Sequence, residues 1–434
     1  MSSSALIPIK KIQDARLALK DISLKTPLEQ NKNLSKKYGA NVLLKREDLQ
    51  VVRSFKIRGA YYRMCQLSTA ERERGIICAS AGNHAQGVAL ACATLGVKGT
   101  IYMPTTTPKQ KLDRVAHFGE EWVDIQLIGD TFDDAKHAAI KVAKEADKVF
   151  IPPFDDPDII AGQGTVAIEI IEDSDVPIDY IIVSVGGGGL ISGIGSYVKV
   201  ISPDTKIIAV EASGAPALKQ AMEAGKVVEL DKIDFFADGI AVKSVGELPL
   251  TICQEVVDRL ILVPEGKMCS TILDLYNEEA IVVEPACAST IAALDELKDE
   301  IKGKNVVCVL SGGNNDITRT EEIKERAMLY EGKKHYFIVR FPQRAGALRE
   351  FLHILGPNDD ISRFEYTKKN NRESGPALIG IELKDPKDFD ALINRLDKSQ
   401  IDYEHLNKSP LLFCLLYTSP SPRDQRGSRM PSSA

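Results

Sequence analysis

From about residue 75 the chain alternates short apolar runs with longer stretches in which apolar residues return every three or four positions. The runs predict strands at 75–79, 100–103, 122–127, 148–151, 180–185, 206–212, 260–263 and 306–310. The stretches between them predict helices at 85–95, 108–118, 131–146, 159–171 and 190–201, with Pro108 at a favoured first helical position. A helix at 12–24 and a strand at 42–46 come earlier, and a further helix at 317–329 is capped by Asn315 or Asp316. Strands that are apolar throughout, separated by amphipathic helices, imply parallel sheets covered on both faces, an α/β architecture.

After Tyr330 the texture changes. Gly332-Lys333-Lys334 is a polar break, followed by a strand at 335–341, a helix at 345–355, strands at 361–366 and 377–383, and a helix at 386–398. That succession over about 80 residues predicts a small ferredoxin-like α+β unit. Residues 418–434 include eleven Ser, Pro or Arg and lack apolar periodicity, so they cannot offset the entropy of ordering. The expected organisation is a two-lobed α/β domain over 1–330, a second domain over 331–412, and a disordered tail at 413–434 whose composition resembles a cloning or assembly scar.

Composition removes several classes. A net charge of −6 offers no basic field for nucleic acid or anionic membrane, and no apolar run approaches spanning length. The eight cysteines never form Cys-x-x-Cys, and several sit in apolar runs such as Ile76-Ile77-Cys78-Ala79. They read as reduced thiols in a reducing compartment, against a structural zinc site. With no signal-peptide core in the first twenty residues, the expected location is cytoplasmic. The histidines show no metal-ligand spacing.

Four stretches carry candidate chemistry. In Ser54-Phe55-Lys56-Ile57-Arg58-Gly59-Ala60, a lysine flanked by apolar residues loses hydration and becomes easier to deprotonate, as an amine that attacks a carbonyl must be. Taken alone, Lys56 reads more readily as a surface lysine on an amphipathic helix. Ser80-Ala81-Gly82-Asn83-His84-Ala85-Gln86-Gly87 joins a strand to a helix, where free N–H groups and the helix dipole can hold a carboxylate, or where Ser80 or Asn83 merely caps the helix. Gly186-Gly187-Gly188-Gly189-Leu190 makes a nest for a phosphate and lacks the Gly-Lys-Ser/Thr ending of a nucleotide loop. Ser311-Gly312-Gly313-Asn314 follows the last strand of the large region.

In this order the four stretches resemble the fold-type II pyridoxal phosphate (PLP) enzymes, and most closely the threonine dehydratase (threonine ammonia-lyase) family. The likeness spans about residues 5–330, and residues 331–412 resemble a single ACT-like regulatory domain of the biosynthetic form. The resemblance implies a Schiff-base lysine at Lys56, with Phe55 behind the ring, Asn83 at the phenolic oxygen and Ser311 at the ring nitrogen. It places the phosphate on Gly186, Gly187, Gly188, Gly189 and Leu190. The substrate carboxylate falls to Ser80, Ala81, Gly82 and His84. It further implies β-elimination from L-threonine to 2-oxobutanoate and ammonia, with some action on L-serine, regulation by isoleucine or valine, and a homotetramer. No metal is expected.

Two rival readings remain at this point. A serine racemase of the same fold would need a serine where Ala81 stands, and an acidic metal ligand where Ala217 stands beside Glu211 and Ala215. A dinucleotide-dependent oxidoreductase with an amino-acid-sensing domain would draw on the loose glycine spacing around Gly188, Gly193 and Gly195.

Overall fold

A computed structural model describes residues 5–366 and 373–409. The chain forms two compact units, one ending at Ile323 and the other beginning at Lys324.

The first unit holds two sheets. One has six strands in the order Leu28–Gln30, Asn41–Arg46, Asn305–Leu310, Tyr180–Ser184, Lys206–Ala212, Arg259–Val263. All neighbours run parallel except the edge strand Leu28–Gln30. The other sheet is parallel throughout, ordered Val123–Leu127, Gly99–Met103, Ile76–Ala79, Val149–Phe150. Each sheet has its own apolar core. One is built on Ile181, Val183, Ile191, Ile207 and Val309, the other on Ile57, Met64, Ile76, Val88 and Ile101. The α/β expectation therefore holds.

Helix Lys56–Cys65 is central to this unit, with seven of its ten residues buried. Close approach to its neighbours depends on glycine. A Cβ at Gly87 of helix Asn83–Leu95 would lie 3.1 Å from the Ile57 amide nitrogen, and one at Gly162 of helix Pro157–Asp173 would lie 2.6 Å from the Arg58 carbonyl oxygen. Beneath this helix lies a fully buried ion cluster. Arg58 donates to Glu47 at 2.7 and 2.8 Å and to Glu169 at 2.7 and 2.9 Å, while Lys45 donates to Glu169 and to the Thr26 carbonyl, both at 2.6 Å. Burial works against the Glu169 charge, yet Arg58 and Lys45 hold its carboxyl below the usual range.

The second unit is a βαββαβ fold. Its four antiparallel strands run in the order Asp359–Tyr366, Ser374–Leu383, Lys334–Pro342, Asp402–His405, the ferredoxin-like arrangement. Phe337, Phe351, Ile379, Ile381, Leu392 and Leu396 form its core.

Several boundaries differ from the pattern-based expectation. The first helix is Ile9–Ala18 rather than 12–24, because Pro8 starts it and the chain turns through Asp21 at φ 68°. Pro108 stands one residue before helix Lys109–Gly119, as its cap. The helix expected at 345–355 shrinks to Ala347–Leu352, preceded by Gly346 at φ 89°. Asp316 does cap the next segment, accepting from the Thr318 N–H, but one 3₁₀ turn precedes helix Thr320–Tyr330. Strands Leu28–Gln30 and Asp402–His405 carry no apolar run and exist through pairing alone. The expected tail at 413–434 lies outside the described residues.

Candidate active site

The four stretches converge because three of them leave the C-terminal ends of parallel strands, where open α/β sheets gather ligands. The fourth is tied to them by backbone. Ser54 pairs with Gly312 in an isolated bridge, the Phe55 amide donates to the Ser311 carbonyl at 3.2 Å, and the Gly313 amide donates to the Arg53 carbonyl at 2.9 Å. Residues more than 250 positions apart thus form one wall.

Lys56 opens its helix. Its stem keeps some exposure, while its amine donates to the Pro153 carbonyl oxygen at 2.8 Å and lies 5.2 Å from the Phe55 ring. Among the described residues no carboxylate pairs with it. Burial pushes its pKa down to about 8, with Glu284 and Cys78 pulling weakly the other way. That amine is far closer to its neutral, nucleophilic form at neutral pH than an ordinary lysine.

Helix Asn83–Leu95 begins at Gly82, which makes no side-chain cap. Ser80 Oγ accepts from the Gly82 amide at 3.2 Å, so neither Ser80 nor Asn83 fills the capping role, and the helix start has no side-chain cap. Ser80, Ala81, Gly82 and Asn83 are all half-buried there. The His84 imidazole turns inward: its Nε2 meets the Ile151 carbonyl at 3.1 Å, its Nδ1 has no partner, and burial followed by the Lys56 charge lowers its pKa to about 3. A neutral ring so placed leaves only the backbone N–H of His84 for a carboxylate.

The glycine run sits between strand Tyr180–Ser184 and helix Gly189–Ile201, with Gly188 as cap at φ 91°, a left-handed conformation natural to glycine. A Cβ at Gly187 would stand 2.1 Å from the Phe154 ring, and one at Gly186 would stand 2.9 Å from Ile240 Cα. Gly186, Gly187, Gly188, Gly189 and Leu190 are all buried. Ser311 Oγ, also buried, accepts from Ser184 Oγ at 3.3 Å, a neutral hydroxyl pair with a proton to offer a ring nitrogen.

Pattern reading missed Glu284, Phe154, Ser184 and the role of Asn314. Asn314 Nδ2 donates to Asn83 Oδ1 at 2.7 Å, and Asn83 Nδ2 in turn donates to both oxygens of Glu284 at 2.9 Å. The available signal was a lone acid closing the apolar run Ile281-Val282-Val283 immediately before Pro285. Glu211, weighed earlier as a metal ligand, spends both oxygens on the Leu218 and Lys219 amides at the start of helix Ala217–Ala224.

Comparison with known proteins matches this arrangement. Residues 19–312 match the family described as pyridoxal-phosphate dependent enzyme, and residues 325–416 match the C-terminal regulatory domain of threonine dehydratase. The chain is 58% identical over 411 residues to a biosynthetic L-threonine dehydratase of Halalkalibacterium halodurans, covering 94% of this chain and 99% of that one. It is 57% identical over 417 residues to the Bacillus subtilis enzyme of the same name, covering 96% and 99%. The chain belongs to the threonine dehydratase family. Among solved structures it resembles the processed threonine deaminase isoform 2 of Solanum lycopersicum, with a TM-score of 0.71 and 41% identity over 74% of this chain and 88% of that one. Serine racemase of Dictyostelium discoideum also shares the fold, with a TM-score of 0.66 and 30% identity over 72% and 100%.

As a member of this family the chain is a PLP-dependent lyase with a regulatory domain. The dinucleotide alternative is thereby set aside. The site fits PLP on its own chemistry, since it offers an amine of lowered pKa, a glycine nest and a neutral hydroxyl at spacings that only the fold creates.

Proposed function

We propose that the chain deaminates L-threonine to 2-oxobutanoate and ammonia, also acts on L-serine, and does so under feedback from a branched-chain amino acid. The observation that carries the reading is Lys56: an enclosed amine, hydrogen-bonded to a neutral carbonyl and pushed down to about pKa 8, at the meeting point of the other three stretches. In this reading Lys56 attaches PLP, Phe55 and Asn83 flank the ring, Ser311 meets its nitrogen, and Gly186 to Leu190 hold its phosphate. PLP, when bound, supplies an electron sink for the negative charge left at the substrate Cα. The backbone N–H groups of the Ser80–His84 turn hold the substrate carboxylate. Lys56, freed by the incoming amine, takes the Cα proton from one face. Loss of the β-hydroxyl as water leaves an enamine, which water converts to the keto acid and ammonia.

The regulatory reading rests on a cavity of about 430 Å³ in the second unit. Phe341, Leu348, Leu352, Phe364 and Tyr366 give it apolar walls, and Arg349 lines it together with Arg344, which is paired with Glu350 at 2.7 Å. Apolar walls with guanidinium groups suit a branched apolar amino acid and its carboxylate. We assign isoleucine to it, with valine as the competing ligand. A homotetramer is carried over from the likeness to the family alone. A cytoplasmic location is supported by the seven described cysteines, none of them in a disulfide and six of them buried. Among the described residues no helix is long and apolar enough to cross a membrane.

The test is direct. Ammonia and 2-oxobutanoate are measured from L-threonine with and without L-isoleucine. Release that isoleucine suppresses supports both parts. Release unaffected by isoleucine and valine removes the regulatory part, and no release removes the catalytic one.

A further inference from the structure

Glu284 is a buried carboxylate with no lysine or arginine bonded to it among the described residues. Such a group is costly to keep ionised unless something in its surroundings compensates. It caps helix Pro285–Ala292 through its backbone, and its amide donates to the Gly312 carbonyl, so its position is locked to the residue that follows Ser311. Its side chain is enclosed. A Cβ at Gly312 would lie 2.5 Å from Glu284 Oε1, and one at Gly239, which has φ 55°, would lie 3.3 Å from the same atom. The carboxylate thus takes the space a side chain at Gly312 would need, while Gly239 is held to glycine first by its left-handed backbone and by Ala286 Cβ at 3.1 Å.

The hydrogen bonds around it run one way. Asn314 Nδ2 donates to Asn83 Oδ1 at 2.7 Å and to the Val52 carbonyl at 2.9 Å, which fixes the Asn83 amide with its NH₂ group toward Glu284. That NH₂ meets both carboxylate oxygens at 2.9 Å. One of its two hydrogens suffices for this bifurcated contact, leaving the other for a neighbouring acceptor. The charged groups facing Glu284 are Lys56, from its own helix, and the Lys111–Asp238 pair, itself closed at 2.7 Å. Asp238 holds Lys111 and also accepts from Arg319 at 2.9 Å, while the Lys56 nitrogen acts on Glu284 through space without direct contact.

We propose that Glu284 is a positioning residue that holds the Asn83 amide toward the cofactor ring and, by its charge, keeps the proton on the Lys56 nitrogen once PLP is attached. This rests on the reading of Lys56 as the attachment point. Burial raises the Glu284 pKa to about 7, which Asn83 and the nearby cations oppose, so its ionisation is coupled to the state of the site.

The experiment is a spectroscopic pH titration of the PLP-loaded protein, following the visible band of the Lys56-linked cofactor. Glu284→Gln keeps the shape and an acceptor for Asn83 but removes the charge. The band's transition should move to lower pH by about one unit or more, the size expected for loss of a nearby opposite charge. Glu284→Asp keeps the charge and alters the reach, so it should titrate close to the unaltered protein while losing turnover. A purely structural role would predict the opposite ranking, with Asp the more disturbed of the two. An unchanged transition in Glu284→Gln, or an Asp variant shifted as far as the Gln variant, overturns the proposal. Should Glu284→Gln fail to fold, the Asp titration alone decides, since a shift of a full unit with the charge retained is incompatible with it. Absence of any borohydride-fixed visible label on Lys56 in the unaltered protein would instead overturn the attachment reading beneath it.

Discussion

Two lysines eleven residues apart meet opposite fates in this fold. Lys45, on strand Asn41–Arg46, is wholly buried and bonded to Glu169, within a cluster completed by Arg58, Glu47 and Arg16. Lys56, at the start of the next α-helix, has a neutral carbonyl for its amine. Burial pushes both pKa values down, but at Lys45 the carboxylates of Glu47 and Glu169 pull back, and no such pairing reaches Lys56. The contrast shows that burial alone does not make a lysine reactive. Its proton must also lack a committed acceptor of negative charge. Helix Lys56–Cys65 spans both regimes, since Arg58 is anchored in the ion cluster only two residues after Lys56.

Exchanging the two roles by mutation should separate function from stability. Lys56→Met removes the attachment point and the base together, so threonine turnover should fall by several orders of magnitude. Its unfolding free energy in denaturant should change little, because the Lys56 amine is bonded to a neutral carbonyl and to no carboxylate. Near-native ammonia release would end the catalytic reading. Glu169→Gln does the reverse. It leaves Lys45 and Arg58 short of negative charge in a dry interior and should cost about 3–5 kcal/mol of stability. Turnover per folded molecule should suffer far less. A chemical denaturation midpoint equal to that of the unaltered protein would show that the cluster is not a stabilising anchor.

The pKa difference can be read kinetically. With Lys56 at about 8, the rate of PLP attachment to the apoprotein should rise about tenfold per pH unit up to pH 8 and then level off. The sign follows from the lowered pKa, since the reactive neutral amine is already the majority form above pH 8. A rate still climbing toward the ordinary lysine value of 10.5 would mean the amine is not perturbed. Ser311→Ala should weaken PLP binding by about 0.5–1.5 kcal/mol, the worth of one hydrogen bond, and slow turnover without unfolding the chain. Unchanged affinity and rate would reduce Ser311 to a turn residue paired with Ser184. The smallest effect concerns Ala81, whose methyl offers no proton on the face opposite Lys56. L-Serine should yield pyruvate and ammonia but no D-serine by chiral chromatography. Ala81→Ser should introduce a trace of racemisation, held low because no neighbour tunes that hydroxyl. D-serine formed by the unaltered protein at a rate near that of pyruvate would favour the racemase reading.

The four stretches that make up the candidate site could be picked out from short segments. Each of the four stretches lies at a strand-to-helix or strand-to-loop junction, or opens a helix, and such junctions announce themselves by glycine and by the end of an apolar run. The ferredoxin-like unit was likewise visible in the spacing of its first three strands and two helices. Glu284 was not, because one acid before a proline is an ordinary sequence event and acquires meaning only when Asn83 and Gly312 close around it. His84 was read as part of a carboxylate loop, yet its ring packs against the Ile151 carbonyl, a direction that no local pattern specifies.

The order of apolar runs, helices and glycine turns, all local properties with periods of two to four residues, was enough to determine the α/β class and the second unit, while four motifs in their order carried the resemblance to the family. The tertiary structure decided which charges find partners. Lys45 meets Glu169 across 124 residues, Asn83 meets Glu284 across 201, and Ser54 meets Gly312 only because sheet and helix packing brings their backbones together. Periodicity records which face of an element is buried, but the electrostatic state of a buried group depends on what lies within a few ångströms, and in this chain that is set by residues far away in sequence.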